Sequence, residues 1–337
     1  MRRNFTVRVA IHNWCICFSL LLFASALTFG AAPGKRIRFA PKFARGETLR
    51  YRIESRTTTT GKMTSPILNP EGGTRSNLLI HLLVRLDVLD APVVGHSDVA
   101  RFRATYEKSS AEADSDAFDP AQPSPADEYA HLEGHSIELT LGTSAQVTDV
   151  QGLSEVLSDQ SIAQSVLTWF SGIAASSGFP SGGIEIGQRW KSERPVEGAP
   201  LAGLAWHVES TYLRDEPCAP SANSSGSSPP TSGAESCAVI LSRFEISRRG
   251  AASSDVTPED YRRNGLRVSG TWIGSGEALD SISLSTGLLV RSTQTFDQQM
   301  DYRITSASTG SSVRNQSHVQ TQSEVTLAPA VSPAPSS

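Results

Sequence analysis

Alternation of apolar and polar residues is the dominant pattern of this sequence. Between Leu78 and Val88 every second residue is apolar, and His81, Arg85 and Asp87 occupy positions in between. The same period of two recurs in residues 49–53, 101–106, 204–212 and 238–246. Successive side chains of a strand point to opposite faces of a sheet, so this pattern predicts half-buried antiparallel strands.

Neighbouring alternating segments predict two β-hairpins and one further strand. The hairpins pair residues 204–214 with 237–247 and residues 276–284 with 288–304. In the second hairpin, Ser285-Thr286-Gly287 forms the predicted turn. The last predicted strand extends from His318 to Leu327.

One stretch, from Leu153 to Ser176, has helical periodicity instead. Its apolar residues fall at positions 153, 156, 157, 162, 166, 169, 170 and 173. Ser161 and Gln164 fit a capping box, and Gly178 and Pro180 would end the helix. The many alternating segments predict a mainly β protein, with a large curved antiparallel sheet or open barrel. Because an amphipathic helix buries its apolar face against a sheet, we predict that this one helix packs on the concave face.

The N-terminal segment has the layout of an export signal. Three arginines precede an uncharged apolar run from Trp14 to Phe29, and the small residues Thr28 and Gly30 come just before Ala31. This layout predicts a signal peptide over residues 1–30 and a periplasmic or extracellular protein. The alternative is an uncleaved anchor, because the longer, weakly polar stretch from Ile11 to Ala32 is just long enough to span a bilayer.

Charge argues against nucleic acid as a partner. Without its first 30 residues the chain keeps 27 basic residues against 34 acidic ones, a net charge of −7. A negative protein gains no attraction to nucleic acid or to anionic lipid. We therefore predict no nucleic-acid partner, and no membrane span once the signal is removed.

Two cysteines, Cys218 and Cys237, remain after the predicted cleavage. They enclose a Ser-, Gly- and Pro-rich segment, and an even cysteine count in an exported chain predicts a disulfide bond. The alternative, a redox pair, is disfavoured because the spacing is far from C-x-x-C.

The sequence HLEGH, at residues 131–135, resembles a metal motif. Zinc-protease helices carry glutamate directly after the first histidine, whereas Glu133 stands two residues after His131. In an extended strand, His131, Glu133 and His135 would all project to one face, within reach of one metal. We favour a solvated strand end and predict no metal site. No cofactor motif and no G-x-S-x-G elbow occurs, so we predict a protein that is not an enzyme.

Aromatic residues offer the remaining candidate site. Trp169 and Phe170 lie on the predicted helix and Trp206 lies on a predicted strand. They either pack in a core or line an apolar cavity between helix and sheet, where a lipophilic ligand would bind.

The predicted domain covers residues 43–327. It follows a lead-in at 31–42, contains long loops at 108–130, 217–236 and 248–264, and precedes a disordered tail at 328–337.

Several short motifs are spread over most of residues 43–304. They are Gly46-Glu47, Gly178-Phe179-Pro180, residues 184–190, Gly274-Ser275-Gly276, Asp280 and Gly287. Together they resemble a loose class of secreted bacterial β-rich proteins of unknown function. That class has an apolar-Gly-Asp-x-Trp motif at the position of Ile186 to Trp190. In this chain Gln188 replaces the acidic residue. The resemblance implies a β-rich exported domain without a known activity. A more distant fold analogy connects the layout with periplasmic lipoprotein carriers, whose curved sheet is capped by helices.

Two functions follow as expectations. The first is a non-enzymatic exported binding or carrier module for a lipophilic small molecule or a lipoprotein of the cell envelope. The second is a structural or interaction protein of the envelope with a filled core, whose partner is another envelope protein. An empty concave face would favour the first function, and a packed one the second.

Overall fold

The structure is a computed structural model. It describes residues 36–64, 73–91, 99–116, 124–142, 147–156, 167, 169–170, 173, 178–196, 199–218, 235–248 and 255–329. The predicted signal peptide, most of the predicted central helix and the tail from residue 330 lie outside these residues.

Eleven antiparallel strands of the described chain form one sheet. The strands are β1 (Thr48–Thr64), β2 (Gly73–Asp90), β3 (Val99–Ser115), β4 (Ser136–Gly142), β5 (Val147–Gln151), β6 (Arg189–Pro195), β7 (Leu204–Pro217), β8 (Ser236–Arg248), β9 (Leu266–Ser283), β10 (Leu289–Ser306) and β11 (Ser312–Leu327). Their order across the sheet is β5-β4-β3-β2-β1-β11-β10-β9-β8-β7-β6. Within the described residues β5 and β6 are edge strands, so the sheet is open, and the predicted mainly β fold is confirmed.

The chain enters this sheet at its centre. From β1 it proceeds strand by strand to the edge at β5, resumes at the opposite edge with β6, and returns to β11, which pairs with β1. Both predicted hairpins are present, as β7 with β8 and β9 with β10. The last strand begins at Ser312, six residues before the predicted start at His318.

Short helices occupy some connections. They are α1 (Pro125–His131), α2 (Leu153–Val156) and α3 (Glu259–Arg263). Leu167, Trp169, Phe170 and Ile173, all in the connection between the two sheet edges, are also helical. In the described part of the chain, no helix is long and apolar enough to cross a membrane.

The predicted loop at 108–130 is wrong at both ends. β3 continues to Ser115 because its backbone pairs with β2 as far as Ser76, although this part of the sequence is polar. The loop also ends early, since Ser124 and Asp127 form a capping box that starts α1 at Pro125. The predicted loop at 248–264 likewise contains α3.

The predicted lead-in is part of the packed domain from residue 36 onward. Ile37 exchanges two backbone hydrogen bonds of 2.8 Å with Ile184. Phe39 is buried and contacts Tyr212 of β7, while Phe43 packs edge-on against Phe102 of β3. The segment therefore joins the two halves of the sheet. Sequence periodicity could not reveal this, because the segment is neither helix nor strand.

The disulfide prediction is confirmed. Cys218 follows the last residue of β7 and Cys237 is the second residue of β8, and the two form a disulfide bond. The bond closes the β7–β8 connection where the strands end. Cys237 is fully buried, so the bond also anchors this connection to the core.

We predict that Cys218→Ser lowers the free energy of unfolding by about 3 kcal/mol, because the unfolded chain gains loop entropy. Urea unfolding under non-reducing conditions measures this loss. Cys237→Ser should cost more, since it also places a hydroxyl in the core. Equal stability of wild type and Cys218→Ser would contradict a stabilising role for the bond.

Candidate functional site

One face of the sheet carries the main core, and we call it the inner face. Tyr51 of β1 lies on it, fully buried, and donates a hydrogen bond of 3.0 Å to the Leu289 carbonyl. The ring of Trp169 meets the ring of Tyr51 edge-on, with centroids 6.0 Å apart. The helical residue Trp169 therefore packs on the inner face, where the sequence predicts a helix. Phe170 and Ile173 are buried in the same core.

Residues directly opposite each other on neighbouring strands share a face and form rows across the sheet. One inner-face row, the packed row, consists of Tyr212, Ile240, Asp280, Ser292, Val325, Ile53, Leu82 and Ser109. Most of its members are buried, and it lies at the boundary of the main core.

The next row along the strands consists mainly of small side chains. We call it the small-residue band, and its members are Ser210, Ser242, Ala278, Gln294, Ser323, Ser55, Ile80 and Ala111. Gln294 is exposed, and Ser242, Ala278 and Ser323 are partly exposed, although they lie in the interior of the sheet. The middle of the inner face is therefore accessible next to a packed core.

Beyond the small-residue band lies an aromatic cluster of Trp206, Phe244 and Phe296. The centroid of the Trp206 ring is 5.7 Å from that of Phe244 and 5.1 Å from that of Phe296. Two glycines of β9 make room for these rings. A Cβ atom at position 276 would lie 2.5 Å from the Phe244 ring, and one at Gly274 would lie 3.0 Å from the Phe296 ring.

The three predicted lining residues do not all meet. Trp169 and Phe170 contact each other with centroids 4.6 Å apart, next to Tyr51. Trp206 lies on the other side of the small-residue band, four residues along β7 from Ser210, or about 13 Å. Two aromatic groups thus flank the band, and a shared lining role for them stays a prediction.

Asp280 is a candidate residue that the sequence pattern did not single out as a site. Its carboxylate accepts a hydrogen bond of 2.6 Å from the Ser292 hydroxyl, and desolvation by the surrounding protein raises its pKa. Its neighbour Leu279 is 40% exposed on the outer face. Hydropathy alone would place the leucine inside and the acid outside. The spacing of the residues does indicate the observed orientation, because Ala278, Asp280 and Ile282 are two residues apart and so share one face of the strand.

A cationic side chain also lies on the inner face. Arg194 of β6 is opposite Trp206 in the ladder, and desolvation lowers the pKa of its guanidinium group. Its row lies three rows from that of Asp280, about 20 Å along the strands alone. Arg194 is therefore too distant to pair with Asp280.

The HLEGH motif is not the strand end that the sequence suggested. His131 is the last residue of α1, Leu132 is fully buried as its C-cap, and Gly134 has a φ of 82°. The positive φ ends the helix in a turn, so His131 and His135 come together with ring centroids 4.9 Å apart. Glu133 accepts a hydrogen bond from the Ser109 amide instead. Among the described residues, no three His, Cys, Asp or Glu side chains converge as metal ligands would.

Comparison with known proteins gives no family. No family model and no curated protein matches the chain. Among solved structures, one on lipid–protein interactions in lipovitellin is similar over 87% of this chain and 27% of the lipovitellin chain, at 11% identity and a TM-score of 0.45. The outer membrane protein OprG from Pseudomonas aeruginosa is similar over 87% of this chain and 100% of its own, at 8% identity and a TM-score of 0.18. Neither similarity is close enough to support a functional assignment.

We predict that Gly276→Ala destabilises the protein by roughly 1–3 kcal/mol, as overpacking does. The added Cβ would overlap the Phe244 ring and the backbone of β10. Chemical unfolding measures the loss. Gly61→Ala is the matched control in β1, because its closest contact would be 3.3 Å. A loss at Gly276 no larger than that at Gly61 would contradict the close packing of the cluster.

We predict that Asp280→Asn gains stability relative to wild type as the pH rises. The folded state raises the pKa of Asp280 and so binds its proton more tightly than the unfolded state does. The free energy of unfolding of wild type therefore falls as the pH rises from about 3.9, the unfolded pKa, through the folded pKa. Asparagine does not titrate and escapes this loss.

Urea unfolding of both proteins between pH 3 and pH 8 measures the difference. Glu277→Gln removes the same charge from the outer face of β9, where Glu277 pairs with Arg243, and should show no such gain. Parallel stability curves for wild type and Asp280→Asn would contradict the prediction.

Proposed function

We propose that this protein is a non-enzymatic exported binding or carrier protein for a lipophilic ligand. The observation that carries the proposal is the small-residue band, which is partly exposed between two aromatic groups on the inner face. Ligand pockets are typically apolar and aromatic, with a few polar groups that fix orientation. The inner face offers this combination.

The ligand would lie across the band. The small side chains of the band would leave room for the ligand, while Trp169 on one side and Phe244 and Phe296 on the other would supply apolar contact. Phe296 is only partly buried, so a ligand would remove further apolar area from water, worth roughly 25 cal/mol per Å².

Export is the second part of the proposal. The Cys218–Cys237 bond is typical of oxidising compartments, which supports a periplasmic or extracellular location. There the partner would be a lipophilic small molecule or an envelope lipoprotein that presents its acyl chains.

The alternative, a structural or interaction protein of the envelope, has its own support. The main core on the inner face is packed and includes Phe170 and Ile173 from the helical segment. In this alternative a partner protein, rather than a ligand, would cover the small-residue band. The two functions differ in whether the isolated protein binds a small apolar molecule.

We predict that the purified protein binds the uncharged apolar dye N-phenyl-1-naphthylamine at about one molecule per chain. Ser323→Phe should weaken this binding at least tenfold, because the ring fills the centre of the band. Fluorescence titration measures the affinity.

Ser275→Phe is the matched control, since Ser275 is exposed on the outer face of β9. Thermal unfolding of both variants verifies that they fold. The proposal fails if wild type binds no dye. It also fails if the dye binds folded Ser323→Phe as tightly as wild type, because the dye then lies elsewhere.

A further inference from the structure

The Asp280 carboxylate has few neighbouring groups that could offset its desolvation. Asp280 lies in the packed row on the inner face, one residue pair away from the small-residue band, and is partly exposed. Its Oδ1 atom accepts the Ser292 hydroxyl at 2.6 Å. Among the described residues, no hydrogen bond to Oδ2 is formed, so this oxygen can accept one from a bound molecule.

The ladder and same-strand neighbours of Asp280 on the inner face are uncharged in the described part of the chain. Ile240 and Ser292 lie beside it in the row, and Ala278 and Ile282 lie before and after it on the same face of β9. In the adjoining band the nearest polar groups are the hydroxyl of Ser242 and the exposed amide of Gln294. The Asp280 carboxylate is therefore desolvated, and no cationic side chain among the described residues forms an ion pair with it.

Such a group discriminates between head groups. A hydroxyl donates a charge-assisted hydrogen bond to a carboxylate, which is worth more than a neutral one. A second carboxylate, in contrast, meets a like charge in surroundings of low dielectric, where repulsion is strong. The amide of Gln294 can donate to or accept from a hydroxylated head group.

We propose that Asp280, Ser292 and Gln294 form a polar subsite that binds the uncharged, hydroxylated head group of an amphiphile and rejects an anionic one. The apolar chain of the amphiphile lies along the small-residue band toward Phe244 and Phe296. This inference rests on the proposed function, because it assigns the chemistry of the ligand that the inner face binds.

The test compares two amphiphiles with the same acyl chain, 1-decanoylglycerol and decanoate, as competitors of bound N-phenyl-1-naphthylamine at pH 8. Wild type should prefer 1-decanoylglycerol at least tenfold. In Asp280→Asn the affinity for decanoate should rise and that for 1-decanoylglycerol should fall, so that the preference shrinks to about threefold or less. Glu277→Gln, with the same charge change on the outer face, should keep the wild-type preference.

The outcomes separate the two proposals. If wild type binds neither the dye nor either amphiphile, the proposed function fails and the subsite fails with it. If the dye is displaced by both amphiphiles equally, or if Asp280→Asn leaves the preference unchanged, the protein is a carrier without this subsite. A wild-type preference for decanoate would overturn the subsite and point to the cation Arg194 instead.

Discussion

The ladder between β1 and β11 is the constraint on which the rest of the sheet depends. It joins the first and last strands from the pair Tyr51–Leu327 to the pair Thr64–Arg314. A slip of one residue here would exchange the inner and outer faces of one half of the sheet relative to the other. The packed row and the small-residue band both cross this ladder, so both exist only in this register. Because the partners are far apart in sequence, the ladder also requires the whole chain, and such topologies fold slowly.

The inner face changes its chemistry along the strands. In β1 the buried Leu49, Tyr51 and Ile53 are followed on the same face by Ser55 and Thr57. Hydroxyl groups tolerate contact with water and with each other, as the 3.2 Å contact between Thr57 and Thr321 illustrates. The centre of the face can therefore stay accessible without the cost of exposing large apolar side chains. The packed end supplies the stability that the accessible part does not.

Much of the architecture could be predicted from local periodicity. The features that could not be predicted are determined by contacts between residues that are distant in sequence. The alternation around Trp206 and Ile240 gave the right strands and the right pairing, because one face of each strand is buried. The polar end of β3 is a strand only because β2 pairs with it. The inversion of Leu279 and Asp280 is fixed by the ladders on both sides of β9. Of the candidate site, the sequence singled out Trp169, Phe170 and Trp206, whose lining role stays a prediction. It pointed neither to Phe244 and Phe296 nor to the small-residue band, because a row across the sheet has no signature along the chain.

The pKa values of acidic residues shift in opposite directions on the two faces of the sheet, which favours a functional role for Asp280. On the outer face, Arg314 holds the pKa of Asp301 below its usual range, and hydrogen bonds from Gln320 and His318 do the same for Asp297. On the inner face, desolvation raises the pKa of Asp280. A carboxyl whose charged form is disfavoured by desolvation is the type of group that functional sites retain. Because Asp280 lies in the row next to the partly exposed small-residue band, a bound molecule that donates a hydrogen bond to its carboxylate would offset this desolvation.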